Sequence, residues 1–428
     1  MSLYPKPPSP NARVAVDIGS TVVKVALVGE DRNLVSQRFY ARDFEAGIVK
    51  QVESLLDSHG ISPDRSDIRI CSSANGGLRV GIVCLTKHFS GAALRNQVLL
   101  AGANPVFVHS FDEESRDLSF TDILLVGGGI DCADAAPLEQ RLERFEIDKY
   151  RHGALVFAGN KYLGDVFRRR FPSAAIVQNP LADKLVSTDN SVLETIRRAY
   201  LDDLVYKEGV SELSSKLSSG IRPTPEVVSL GFQRAVNGAS IGVIAPCLLL
   251  DIGGATTDLH YTVEIVKDGT RSVSAGGSSV GRYVFTDLGI VASRDSLLLQ
   301  LRSHSRLYEF LGAVLSEDIT ETYRLFREGE YQPSPELLAH GCLFLAMDRF
   351  AQGRGPGLPS GDLAQLSQVI LTGGASQGLS EDTAASVVRL VTPKGSKPNI
   401  LIDRRYEIWV EGISFAERTV AAATTASR

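Results

Sequence analysis

The 428-residue chain is long enough for two or three domains with full hydrophobic cores, and its 43% hydrophobic and 22% charged residues are ordinary for a globular protein. A net charge of −5 gives no broad basic field, which argues against nucleic acid as a partner. No apolar run is long enough to cross a bilayer and no signal-peptide core opens the chain, so a cytoplasmic location without a membrane partner is expected.

Five scattered cysteines, Cys71, Cys84, Cys132, Cys247 and Cys342, form no CxxC pair, so a disulfide framework or zinc site is not expected and most read as small buried hydrophobes. Residues 1–11 carry four prolines and read as a disordered leader. Arg13 to Ile18 and Val22 to Val28 read as two strands around a turn, Asp17-Ile18-Gly19-Ser20-Thr21. A strand at 34–40, a helix at 46–59 and strands at 68–72 and 78–85 follow. A helix at 90–101 leads to a strand from Pro105. Strands at 123–126, 154–157 and 174–177 then alternate with helices at 137–145 and 161–171, a pattern that argues for parallel pairing with ligand contacts at the strand C-termini. Arg168-Arg169-Arg170 at the end of the second of these helices complements its dipole. A helix at 192–206 precedes a Ser-rich polar stretch, 208–224, that reads as a loop or a mobile crossing segment.

The apolar run 244–250 ends in Asp251-Ile252-Gly253-Gly254-Ala255-Thr256-Thr257-Asp258, which echoes the turn at Asp17. Paired glycines let backbone N–H groups approach an anion, and Thr256 and Thr257 add hydroxyl donors. An Asp at the tip of a buried strand is costly unless it meets a cation or donors, and a phosphate held with Mg²⁺ would supply both demands. One such turn is also compatible with a plain Gly-rich hairpin; two, each between β-rich runs, point to a duplicated domain around one phosphate-bearing ligand. A helix spanning 296–315, another over 335–352, and the strand-turn Val369 to Ser376 with its Gly373-Gly374 pair complete the second copy, followed by a helix at 380–391.

The order of two Asp-Gly turns and a Gly-Gly turn resembles the actin-like ATPase superfamily. The resemblance implies an α/β fold of two actin-like (ribonuclease H-like) lobes around a nucleotide cleft, with an inserted α/β segment. It implies ATP or ADP with Mg²⁺, Asp17 and Asp251 as metal-holding catalytic residues, and Gly19, Ser20, Thr21, Gly253, Gly254, Thr256 and Thr257 on the phosphates. Gly373 and Gly374 would face the nucleoside. The expected divisions are a first lobe at 12–110, an insert with crossing helices at 111–240, a second lobe at 241–420 and a disordered tail at 421–428.

A narrower resemblance is to the MutL-type accessory proteins of glutamate mutase, which are unrelated to the mismatch-repair protein of that name. It is carried by Cys71 to Arg79, Ala101 to Asn104, Leu124 to Gly128, Ala158 to Lys161, Asp251 to His260 and Thr286 to Gly289. The continuation Gly127-Gly128-Gly129-Ile130-Asp131-Cys132 departs from the Thr-Asp-Gly-Gly-like run expected there. The resemblance implies an ATP-hydrolysing reactivating factor, chaperone-like, whose protein partner is an adenosylcobalamin-dependent mutase. A small-molecule kinase of the same fold is the alternative, with Asp131 or Asp134 as base. An actin-type filament and an iron–sulfur activator find less support, the latter because Cys132 alone cannot bridge a cluster. His260 beside the second turn is a candidate for orienting water, though a packed strand histidine is the plainer reading. Asp287 reads equally well as a helix cap near the cleft.

Overall fold

A computed structural model of the chain describes residues 13–19, 22–29, 34–41, 43, 45–61, 67–73, 78–113, 120–131, 134–181, 191–208, 221–238, 242–267, 279–315, 319–355 and 358–414. The expected leader and tail lie outside these residues, as do Ser20, Thr21 and Cys132. In chain order the chain forms β1 (Arg13–Ile18), β2 (Val22–Val28), β3 (Leu34–Ala41), α1 (Ile48–Ser58) and β4 (Asp67–Ser72). Next come β5 (Arg79–Cys84), α2 (Ala92–Leu100), β6 (Asn104–Ser110), β7 (Thr121–Gly128), α3 (Ala136–Glu143), β8 (His152–Gly159), α4 (Gly164–Arg170) and β9 (Ala175–Ile176). After α5 (Ser191–Glu208) and β10 (Ile221–Pro223) comes α6 (Thr224–Val236), then β11 (Cys247–Ile252), β12 (Thr257–Thr262) and β13 (Val280–Phe285). Four helices follow, α7 (Arg294–Ser303), α8 (Leu307–Val314), α9 (Ile319–Glu328) and α10 (Pro335–Gln352), then β14 (Gln368–Thr372), α11 (Glu381–Val391) and β15 (Asn399–Ile402). A last helix, α12, covers 407–414.

Local chemistry accounts for many of these limits. Ile48, Val52 and Leu56 give α1 one buried stripe, and Gly60, at φ 66°, closes it with its N–H on the Asp57 carbonyl. The Ser334 hydroxyl caps α10, Pro335 opens it, and left-handed Gly353 ends it. The helix expected over 296–315 is two helices, α7 and α8, because the chain turns extended at His304 within a Ser-His-Ser run of weak helix formers.

Three five-stranded sheets result. Two share one topology: β3-β2-β1-β4-β10 and β13-β12-β11-β14-β15. In each, the first three strands pair antiparallel and the first, fourth and fifth run parallel. This repeat is the duplicated ribonuclease H-like arrangement that the two Asp-Gly turns led one to expect. The third sheet, β6-β5-β7-β8-β9, is wholly parallel. Its central β7 buries Ile123 to Val126 completely, as strands covered on both faces do.

The chain divides into two compact units. One holds 1–76, 199–242 and 403–428, hence the β1-centred sheet with α6 and α12; the other holds 77–198 and 243–402, hence the parallel sheet and the β11-centred sheet. The change of unit after 242 falls beside the expected boundary at 240, whereas the expected boundary at 110 has no counterpart and the breaks after 76, 198 and 402 were not expected. Residues 77–110 supply β5 and β6, which pair with β7, so they belong with the parallel sheet. Residues 221–223 add β10 beside β4, and α12 returns to the same unit.

Within the first unit α6 and α12 cross almost backbone to backbone. A Cβ on Gly231 would lie 1.8 Å from the Ile408 carbonyl oxygen, and one on Gly412 would lie 1.8 Å from that of Val227. Gly231→Ala must therefore drive the helices apart. It should lower unfolding free energy by about 3 kcal/mol or more in chemical denaturation, at the upper end of overpacking costs.

Candidate functional site

The two Asp-Gly turns have the same geometry. Gly19 N–H donates to the Val22 carbonyl at 2.9 Å, and Gly253 N–H donates to the Thr256 carbonyl at 2.9 Å. Each closes a hairpin in which the aspartate faces the residue seven positions on: Asp17 pairs with Lys24, and Asp251 with Asp258. Side chains opposite one another in a hairpin share a face, so those partners fix the charge beside each aspartate.

In the first unit Asp17 is 1% exposed and fully engaged. Lys24 Nζ donates to Oδ2 at 2.7 Å, while Thr224 Oγ1 donates to Oδ1 at 2.6 Å and the Cys71 thiol to Oδ1 at 3.4 Å. Burial and the Asp17 charge push the Cys71 thiol well up, so it stays protonated and donating. The Lys24 ammonium also lies 4.7 Å from the centroid of the Tyr406 ring. Tyr406 is the non-glycine residue with positive φ, 48°, among those described. Ser73 N–H and the Ser72 hydroxyl both donate to the Ile18 carbonyl and hold the turn from behind. Lys24 balances the Asp17 charge and Thr224 and Cys71 fill the other oxygen, so Asp17 would meet a Mg²⁺ ion through its waters and not directly. Lys24, Thr224 and Tyr406 were not among the expected site residues. Counting the hairpin register across Gly19 would have found Lys24.

In the second unit the parallel pairing of β11 and β14 sets Asp251 beside Thr372, which brings Asp251, Gly253, Gly254, Thr256, Gly373 and Gly374 to one strand edge. Gly373 has φ 88°, and a Cβ there would fall 2.3 Å from Asp251 Oδ1 and 2.5 Å from the Ile252 carbonyl oxygen. A bare backbone is the only surface that Asp251 can have at that side. Val291 and Ala292 N–H groups donate to the Gly254 carbonyl at 2.7 and 2.9 Å, and the Ser293 hydroxyl donates to the Ala255 carbonyl at 2.7 Å. The turn is thus held by its carbonyls, while the Gly254 and Ala255 amides donate to no carbonyl among the described residues. Amides without a carbonyl acceptor, next to a threonine hydroxyl, are the donors that an anion cradle would use.

The two threonines part company. Thr256 is half-exposed, and its hydroxyl is within 3.5 Å of Asp258 Oδ2. Thr257 is 0% exposed and its hydroxyl donates to the Leu288 carbonyl at 2.9 Å, so it braces the turn and does not present a donor outward. Asp258 is buried and paired with Arg282, whose Nε donates to Oδ1 at 2.9 Å and whose Nη1 donates to the Leu99 carbonyl at the end of α2. Asp258 is thus paired, and the half-buried Asp251 at this strand edge would be the carboxylate to hold a Mg²⁺ ion. Such an ion takes one or two carboxylates together with phosphate oxygens and keeps several waters. Asp287 is bound by Arg349 through both oxygens and does not cap a helix. Asp131 and Asp134 sit after β7; Asp131 accepts from Lys161 N–H and Asn179, and Asp134 accepts from Ala136 N–H.

His260 is not at the turn. It lies on β12 opposite Leu249 and Arg282, at 0% exposure. Burial, reinforced by the Arg282 charge, holds its pKa well below the usual value, so it is neutral and packed. Burial likewise lowers His340 on α10. A histidine whose folded pKa is depressed contributes full stability above its unfolded value of about 6.5, and that stability is lost as pH falls toward the folded value. Denaturation between pH 7 and pH 5 should show stability falling by up to about 1.4 kcal/mol per pH unit for each such group, and His260→Leu should flatten the slope by about one proton.

The profile of the MutL protein family matches residues 13–427. A curated relative, Protein MutL of Clostridium tetanomorphum, is 27% identical over 308 residues, which cover 67% of this chain and 66% of the relative, just under two thirds of its length. Among solved structures, component A of the (R)-2-hydroxyglutaryl-CoA dehydratase of Acidaminococcus fermentans aligns with 9% identity and a TM-score of 0.37 over 96% of this chain and 99% of that one. A glycerol dehydratase reactivase aligns with 11% identity and a TM-score of 0.36 over 95% and 100%. No helix among the described residues is long and apolar enough to cross a membrane. With a profile match over almost its whole length, the chain belongs to the MutL protein family.

Proposed function

We propose that the chain is an ATP-dependent accessory factor that reactivates an adenosylcobalamin-dependent mutase such as glutamate mutase. The observation that carries the nucleotide half of this reading is the repeated turn: two glycine N–H groups, each bonded at 2.9 Å to the carbonyl three residues on, each following an aspartate at a strand end. The partner half rests on membership of the MutL family.

In this reading the Gly254 and Ala255 amides and the Thr256 hydroxyl bind phosphate oxygens, and Asp251 holds the Mg²⁺ side of the nucleotide through water. Mg²⁺, when bound, neutralises charge on the phosphates. Gly19, Ser20 and Thr21 supply the first phosphate loop, with Asp17 fixing Lys24 and Thr224 next to it. Gly373 and Gly374 leave bare backbone for the nucleoside. Hydrolysis is slow and coupled to a change in the units that opens the partner and lets a damaged cofactor leave.

Asp251→Asn should weaken Mg–ATP binding at least tenfold by calorimetry while the circular dichroism spectrum stays unchanged. Binding that survives at wild-type strength would remove the metal role. A mutase inactivated by turnover and mixed with the chain, ATP, Mg²⁺ and fresh coenzyme should recover activity, and the Asp251→Asn chain should not restore it. Gly373→Ala places a side chain against Asp251 at positive φ and should cost about 1–3 kcal/mol together with nucleotide binding. Gly374→Ala, with nothing within 4 Å of the new carbon, should keep stability within about 0.5 kcal/mol.

A further inference from the structure

The parallel sheet has no part in the nucleotide loops, yet it has the layout of a ligand-binding sheet. Its order, β6-β5-β7-β8-β9, is that of doubly wound folds in which the chain reverses direction between the first and third strands. All strand C-termini open on one edge, and ligands of such sheets bind there. At the reversal itself the edge is filled. A Cβ on Gly128, at φ 137°, would lie 2.7 Å from Leu85 Cβ, and Leu85 N–H donates to the Gly127 carbonyl. The open space lies further along, after β7, β8 and β9, as a crevice of about 630 Å³.

Asp131, Lys161 and Gln178 give the crevice its polar lining, and Phe157 and Ile176 its apolar lining. Gly159 and Gly164 line it too; a Cβ on Gly159 would meet the Phe157 ring at 2.7 Å, and one on Gly164 would meet Ile176 Cγ2 at 3.1 Å. Two asparagines, each 1% exposed, fix the loop that carries the acid. Asn160 Nδ2 donates to the Ile130 carbonyl at 2.7 Å. Asn179 Nδ2 donates to the Gly129 carbonyl at 3.0 Å and to Asp131 Oδ1 at 3.1 Å, and Lys161 N–H donates to the same oxygen at 2.9 Å. Buried amides spent on one loop pre-organise its carboxylate. The Lys161 ammonium lies 5.3 Å from the centroid of the Tyr162 ring and pairs with no carboxylate among the described residues.

We propose that this crevice is a second small-molecule site, for a zwitterionic metabolite that sets its ammonium on Asp131 and its acid group toward Lys161. The volume suits a small molecule with an apolar body over Phe157 and Ile176. The acid group is a carboxylate, as in a free amino acid, or a phosphate, as in an aminoalkyl phosphate. Binding of each of the twenty common amino acids and of phosphoethanolamine to the full chain, followed by saturation-transfer NMR and calorimetry, separates the two sources. At least one of these should bind, and its N-acylated and esterified forms should bind at least tenfold more weakly. Asp131→Asn keeps an acceptor for both N–H donors but removes the charge, and should abolish the preference for the free ammonium. Lys161→Met, at an exposed position, should abolish the preference for the free acid. Asp251→Asn should bind as wild type, which separates this site from the nucleotide loops. Absence of binding by every probe, or wild-type selectivity in both crevice variants, would overturn the assignment.

Discussion

Asp251 and Gly373 approach so closely that no side chain fits between them, and the second candidate loop depends on that fact. The parallel register of β11 and β14 makes the approach unavoidable, because it puts Thr372 beside Asp251 and the next residue against its carboxylate. A buried strand end that carries a charge needs donors or cations nearby, and a surface of bare backbone leaves room for them. The turn carbonyls are then taken up by Val291, Ala292 and Ser293, so the amides of the turn are its remaining polar groups. Position, charge and donor supply follow from one register and one missing Cβ.

The duplicated sheets share topology without sharing electrostatics. Lys24 and Asp258 occupy equivalent places across their hairpins, yet one neutralises its aspartate and the other must itself be neutralised by Arg282. The same Arg282 reaches the last turn of α2, where a cation complements the helix end. The buried ion pair therefore also ties the parallel sheet to the β11-centred sheet within their common unit. An isolated buried pair of this kind is weak as a source of stability, but removal of either member leaves a charge stranded, so its value lies in fixing which surfaces meet.

Much of this was legible in the sequence, for reasons that can be named. Asp17 to Gly19 and Asp251 to Gly254 each follow an apolar run and interrupt it with residues that strands exclude, so turn, strand and charge are written side by side. The limits of α10 could be read from Pro335 and Gly353. The discontinuous first unit could not. Helix α6 contains a proline, paired β-branched valines and Gly231, a poor local helix code that packing against α12 overrides. The fate of Thr257 was hidden as well, since adjacent threonines look alike until strand alternation sends one hydroxyl inward to Leu288. The charge balance of Asp17 lay in the hairpin register, seven residues from the motif that drew attention.

The close crossing of α6 and α12 bears on the order in which the chain is made. Arg69 on β4 donates to the Ile413 and Ser414 carbonyls, so the end of α12 is anchored to a strand made much earlier. The unit that starts first thus lacks a helix until residues near 414 have left the ribosome. The other unit has all its sheet strands once residue 402 has emerged. Domains fold as their segments become available during synthesis. The later-starting half can therefore fold to completion while β1 to β4 still wait for their last helix.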